Sequence, residues 1–138
     1  MTKRAAAFLA TTTANLALMT VAAVAAPPIP IEFASGSYGA VVQGHVTMNE
    51  PQQTFKLDVM AGQIMIITFA GAGTMRGSVQ CAGGVGDGPY YGTGNSITMT
   101  TTGECVISAG ANTMAEPWTG DFTLAVLVYT PRTPLNAK

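Results

Sequence analysis

At 138 residues, with 48% apolar and only 9% charged side chains, the chain has the size of one domain and enough apolar residues to build a core. Six basic against seven acidic residues give a formal net charge of −1, and the basic residues form no stripe. That balance excludes nucleic-acid binding, which needs clustered Lys and Arg to release counterions, and a polybasic contact with a membrane surface.

In chain order, the first expected element is an export signal over residues 1–25. Lys3 and Arg4 form a positive start, an alanine-rich apolar stretch follows, and Ala23-Val24-Ala25 supplies the small-x-small pattern of a signal-peptidase site. Cleavage is expected between Ala25 and Ala26, since a cut one residue later would leave Pro27 on the wrong side of the scissile bond. A transmembrane anchor is the competing reading. Thr11, Thr12, Thr13 and Asn15 interrupt the stretch, which therefore lacks the roughly 20 strongly apolar residues of a stable span. Processing leaves Lys56, Arg76, Arg132 and Lys138 against seven acids, a mildly acidic body of 113 residues and net charge −3. The expected location is the bacterial periplasm or beyond, with no membrane span after processing and no cysteine near the cleavage site for lipid attachment.

The remainder is dense in Gly, Thr and Val, a composition suited to strands and turns. Ile31-Glu32-Phe33 opens the domain, and a strand over Gly39 to Val46 follows a Ser-Gly-Ser turn. Phe55, Leu57 and Val59 alternate with Lys56 and Asp58, giving one apolar and one charged face. Ala61-Gly62-Gln63 reads as a tight turn, and Ile64 to Phe69 as a nearly continuous apolar strand, expected to be covered on both sides or to lie at a crowded core. The two strands are expected to pair as a hairpin.

Short strands follow at Gly77 to Cys81, Ser96 to Thr101 and Cys105 to Ala109, and Phe122 to Tyr129 closes the fold. Two loops stand out: the glycine-rich run Gly83 to Gly94, carrying Tyr90 and Tyr91, and Gly110 to Gly120, carrying Trp118. Seven or eight short strands with turn signals between them predict an all-β, antiparallel β-sandwich over residues 26–129, with a frayed tail over 130–138.

In an exported chain the pair Cys81 and Cys105 reads as a disulfide. A reactive thiol or metal pair is the alternative, but the only histidine, His45, is far away in sequence. The sequence carries no sign of an enzyme. It has no Gly-x-Ser-x-Gly elbow, no zinc-ligand spacing and no phosphate loop. No cofactor and no metal are expected. His45, alone on a strand, reads as structural.

For partner contact, Tyr90 and Tyr91 lie between glycines, where aromatics can be presented to a sugar or a partner's cleft. The plainer reading packs one under the loop and leaves the other on the surface. Trp118 either plugs the end of the sandwich or caps an exposed loop. Arg76, after a Gly-rich turn, is the best-placed base for an acidic partner, and Tyr38 is a further aromatic candidate.

Ile31-Glu32-Phe33, Gly36, Ala40 and Gly44, then Phe55, the turn Ala61-Gly62-Gln63 and Ile66, resemble the periplasmic inhibitors of g-type (goose-type) lysozyme. More broadly, they resemble the bacterial pre-peptidase C-terminal domain, a jelly-roll-like sandwich. Gly103-Glu104-Cys105-Val106-Ile107 and Phe122 to Val128 fit its last strands, so the likeness covers most of residues 31–128. It implies a non-enzymatic protein that blocks a muramidase cleft with its loops. The alternative is a carbohydrate- or cell-envelope-binding module, and a third reading is an envelope structural protein. The expected partner is thus a lysozyme or a cell-envelope glycan. Inhibitors of this kind use loops carrying aromatic and basic residues. Here residues 47–53 have neither, and residues 110–120 lack Arg and Lys and contain Glu116, so no inhibitory residue transfers position by position.

Overall fold

The computed structural model describes residues 25–82, 86–91, 95–99 and 101–132. Residues 1–24, 83–85, 92–94, 100 and 133–138 lie outside the described residues, so nearly all of the export signal expected over 1–25, parts of the expected glycine-rich loop and most of the expected tail fall there. Nine strands run in chain order: β1 (Ile29–Pro30), β2 (Gly39–Val46), β3 (Gln52–Val59), β4 (Ile64–Gly71), β5 (Met75–Cys81), β6 (Gly86–Tyr91), β7 (Asn95–Thr98), β8 (Gly103–Ala111) and β9 (Gly120–Tyr129).

They form two sheets. Sheet A has the order β1-β3-β8-β5-β6, and sheet B the order β2-β9-β4-β7. Apart from the two-residue parallel pairing of β1 with β3, every ladder is antiparallel. The pairs β2–β9, β3–β8, β4–β7 and β5–β6 are those of one long hairpin, rolled so that its rungs alternate between two sheets. This is the jelly-roll order. The all-β sandwich read from the sequence is the fold observed.

The hairpin expected across Ala61-Gly62-Gln63 does not form. The turn itself is there: Gln63 N donates to Met60 O at 3.1 Å and Gly62 has φ 87°, a backbone conformation that disfavours any side chain. Yet β3 pairs with β1 and β8 in sheet A, while β4 pairs with β9 and β7 in sheet B. The turn carries the chain from one sheet to the other. The reason lies in the apolar rows of the two strands. Phe55, Leu57 and Val59 on β3 and Met65, Ile67 and Phe69 on β4 are all buried, and they are satisfied by packing face to face across the sandwich rather than side by side in one sheet.

Among the described residues the core between the sheets holds 20 buried apolar side chains and no buried polar or charged one. Phe55 of sheet A meets Phe122 of sheet B edge to face, ring centroids 6.1 Å apart. The Phe69 ring of β4 lies over Gly77 of β5, filling the space a Cβ there would take. Cys81 and Cys105 stand directly opposite each other on β5 and β8 and are joined as a disulfide, with the Met99 thioether about 4 Å from both sulfurs. The bridge predicted from the sequence is present.

The glycine-rich segment also departs from expectation. Gly86–Tyr91 is not a loop but an edge strand of sheet A, with Arg76 opposite Tyr91 and Gly77 opposite Tyr90. Glycine weakens a strand without forbidding it. Here the ladder to β5 organises the segment, with a register irregularity between Gly77 and Val79 absorbing the misfit. At the other end of the domain, Ile31-Glu32-Phe33 follows strand β1 rather than forming one. Ile31 N donates to Lys56 O at 2.8 Å, and the Ile31 side chain is buried.

Candidate functional site

The two ends of the sandwich separate the residues singled out from the sequence. At one end lie the β2–β3, β4–β5 and β8–β9 connections. At the other lie the segment before β2, the β3–β4 turn, the β7–β8 connection and the exit from β9. Strands of eight residues put the two ends on the order of 25 Å apart.

Trp118 belongs to the first end. The loop over 112–119 is pinned at its base: Asn112 N donates to Thr74 O at 2.9 Å, Ala115 N to Asn112 O at 3.0 Å, and Met114 N to Asn112 Oδ1 at 3.1 Å. The indole Nε1 donates to Thr74 O at 3.1 Å, and the ring covers the bare backbones of Gly71 and Gly73 while packing on the core. Of the two placements read from the sequence, this is the plug at the sandwich end. Its indole is half-buried, so one edge still faces solvent.

Arg76 is the second residue of β5 and is exposed on the outer side of sheet A, level with Gly110 of β8 and Tyr91 of β6. Tyr90 is one register position further in, opposite Gly77. Arg76, Tyr91 and Trp118 therefore belong to the same end of the molecule, with Tyr90 next to it. The β2–β3 loop at this end is closed by Thr47 N donating to Glu50 O and Glu50 N donating to Thr47 Oγ1, both at 3.0 Å. Its tip exposes Met48, 73% accessible, and the 112–119 loop exposes Met114, 85% accessible. Neither is among the contact candidates read from the sequence. The signal available was local: Thr47, Asn49 and Glu50 around Met48, and Thr113 and Glu116 around Met114, mark polar loops.

Beside these loops His45 of β2 and Asp121 of β9 are cross-strand partners, Nδ1 to Oδ1 2.7 Å, on the outside of sheet B. Gln53 reaches over from β3 so that its Oε1 accepts from His45 N at 3.1 Å. Among the described residues no group of three or more His, Cys, Asp and Glu is placed to hold a metal ion. His45 is held by a carboxylate on the surface, which fits the structural role read for it.

Tyr38 is not part of this end. It lies at the opposite one, where its carbonyl accepts from Val128 N at 2.7 Å and its ring is 69% exposed. Two cavities meet at it, both lined also by Gln63 and Val128. One, of about 480 Å³, extends to Tyr129 and Arg132; the other, of about 430 Å³, extends to Phe33, Asp58 and Met60. The strand pairing thus divides the five expected contact residues between the two ends of the sandwich.

Among the described residues no helix is long and apolar enough to cross a membrane. No protein-family model matches the sequence, and no curated protein is similar to it. Solved structures do match. PliG of Aeromonas hydrophila, a periplasmic lysozyme inhibitor of g-type lysozyme, superposes with a TM-score of 0.61 at 19% identity, covering 74% of this chain and 96% of its own. PliG of Salmonella Typhimurium, an inhibitor of the same type, gives 0.60 at 12% identity over 76% of this chain and 100% of its own. A mutant of the corresponding Escherichia coli inhibitor gives 0.55 at 11% over 74% and 97%. The jelly roll described above is therefore the fold of the periplasmic g-type lysozyme inhibitors.

Proposed function

We propose that this protein is an exported, non-enzymatic inhibitor of the lysozyme-inhibitor type, which occupies a muramidase cleft with the loops at the Trp118 end of its sandwich. The observation that carries this reading is the fold likeness, which spans 96–100% of two of the inhibitor chains. The disulfide supports export, since such bonds persist in oxidising compartments. With export come the leader over 1–25, the domain over 26–129 and the tail over 130–138.

The Trp118 end suits a cleft. It gathers an aromatic anchored to the core, an exposed arginine and two exposed methionines whose flexible side chains adapt to a partner's surface. Arg76 supplies the base that an acidic active site attracts. The test is inhibition of goose-type and chicken-type lysozymes by the purified mature protein. Micromolar protein is expected to inhibit the goose-type enzyme, and Arg76→Ala to weaken inhibition about tenfold with an unchanged unfolding midpoint. Absence of inhibition of either enzyme sinks the reading.

One observation favours the second reading, a module binding cell-envelope glycan. The cavities around Tyr38 offer an exposed aromatic face with Gln63, Asp58 and Arg132 as polar partners, a combination that holds sugars. Retention on peptidoglycan that Tyr38→Ala abolishes, without any inhibition of lysozyme, is the outcome that would select it.

A further inference from the structure

The end of the sandwich opposite Trp118 carries a groove whose parts are already held in place. The cavities of about 480 and 430 Å³ share Tyr38, Gln63 and Val128, so they are two arms of one depression. Each arm falls within the size of small-molecule sites, about 300–1,000 Å³. Tyr38 lines both arms and is 69% exposed, and its backbone is fixed by Val128 N donating to its carbonyl at 2.7 Å. Gln63 is fixed as well. Its Oε1 accepts from Met60 N at 2.8 Å, and its main chain bonds Met60 O and Met99 N. In the same turn Ala61 N donates to Thr102 Oγ1 at 3.0 Å. With Oε1 engaged, the Gln63 Nε2 amino group offers its N–H donors and has no partner among the described residues.

The two arms carry opposite charges. Asp58 lines the arm that runs to Phe33 and Met60, and Arg132 the arm that runs to Tyr129. Neither has an ion-pair partner among the described residues. Asp58 also stands opposite Glu104 in the β3–β8 ladder, and the nearby base, Lys56, gives its Nζ to Glu104 Oε2 at 3.2 Å. Asp58 is thus left beside a like charge with no cation of its own. An ammonium group entering this arm meets a carboxylate and an exposed tyrosine ring, the two kinds of group that attract it. A carboxylate entering the other arm meets a guanidinium.

We infer that the groove binds a short zwitterionic peptide, its ammonium in the Asp58 arm, its carboxylate in the Arg132 arm and a backbone carbonyl on Gln63 Nε2. Charge selects this ligand. A neutral sugar uses Tyr38 and Gln63 but neither charge. A polyanion is repelled at Asp58, and a polycation at Arg132. A ligand of both signs is favoured in both arms. The site is that of the envelope-binding reading, on which this ligand rests, but the part of the envelope polymer recognised is its peptide and not its sugar. Inhibition of lysozyme belongs to the other end of the molecule and leaves the groove untouched.

Chemical-shift titration of the mature protein with trialanine, both ends free, reads this directly. Saturable shifts of the Tyr38, Gln63 and Thr102 amides are expected, with dissociation at about 0.1–1 mM. Acetylating the peptide's N-terminus or amidating its C-terminus each weakens binding about two- to fivefold, the worth of a partly exposed ion pair. Asp58→Asn abolishes the first discrimination alone and Arg132→Gln the second alone, a pattern that general loss of structure does not give. Tyr38→Ala weakens every form of the peptide with an unchanged urea midpoint. Absence of a saturable shift at roughly 10 mM peptide overturns the inference, as does equal binding of the free and the doubly blocked peptide. Chitotetraose shifting the same amides where trialanine shifts none also overturns it, and leaves the envelope-glycan reading standing. Trialanine binding without retention on peptidoglycan upholds the peptide site and counts against that reading.

Discussion

The two outer faces of the sandwich are built by the same rule and end differently. Both sheets alternate, burying every second residue against the shared core. On sheet A the residues between are Gln52, Thr54, Lys56 and Asp58 on β3, Glu104, Val106 and Ser108 on β8, and Arg76, Ser78 and Gln80 on β5, a face polar but for Val106. On sheet B Val41, Ile64, Ile66, Ala125, Leu127 and Tyr129 form apolar rows, beside Gln43, Thr68, Thr123 and the pair His45 and Asp121. An inward-facing position is apolar because the core requires it. An outward-facing one is free to be polar, so an outward apolar row reports something other than folding. The difference teaches that the core fixes one side of each strand and leaves the other open.

The comparison is sharpened by asking what each sheet contributes to stability. Sheet A carries the covalent link between β5 and β8. Closing a loop with sequence separation 24 constrains the unfolded chain by about 3 kcal/mol, so the Cys81→Ser/Cys105→Ser double variant should lose about that much in urea unfolding. A loss under about 1 kcal/mol would mean that the ladder and the core hold sheet A together without the bridge.

A smaller effect belongs to the contact between the sheets. Gly77→Ala would place a methyl group against the Phe69 ring and should cost about 1–3 kcal/mol, with a lowered unfolding midpoint and an unchanged slope. A neutral outcome would show that the two sheets can separate slightly without penalty.

The smallest effect is expected on the solvated face. Asp58 and Glu104 are like charges directly opposite each other, and Lys56 Nζ relieves them by bonding Glu104 Oε2 at 3.2 Å. Both ends of this pair are substantially exposed, so Lys56→Ala should cost less than about 1 kcal/mol, and less still in high salt. A larger loss would make the charged face a structural element rather than a wet surface.

Much of the fold is legible residue by residue. Strand β2 runs over Gly39–Val46, the bounds expected after the Ser-Gly-Ser turn, β9 extends the expected strand by only two residues, and Gly62 marks its turn. Cys81 and Cys105 could be paired because an exported chain with two cysteines has one economical arrangement. The hairpin between β3 and β4 was not legible. A tight turn between two apolar strands is compatible with pairing in one sheet or stacking across two, and the choice depends on β8 and β9, more than 40 residues downstream. The glycine-rich strand β6 was hidden for a related reason. Its pairing with β5, a separate stretch of the sequence, makes it a strand.

The candidate site divides along the same line. Trp118, Arg76, Tyr90, Tyr91 and Tyr38 could be picked out by chemical type, but their grouping depends on which end each strand presents. Tyr38 falls on the far side from the others. Met48 and Met114 were missed because methionine is as much a core residue as a surface one until the burial is known.

By itself the sequence determined the all-β class, the in-and-out alternation, the disulfide partners and the acidic, weakly charged body. These follow from local periodicity and composition, which need no knowledge of neighbours. Only the tertiary structure decided which strands pair, which contact residues share an end and which apolar row is left facing outward. Each of these depends on hydrogen bonds and burial between residues far apart in the chain. Ile64 and Ile66 are ordinary core residues in the sequence, and only the pairing of β4 within sheet B leaves them half-buried on its outer side.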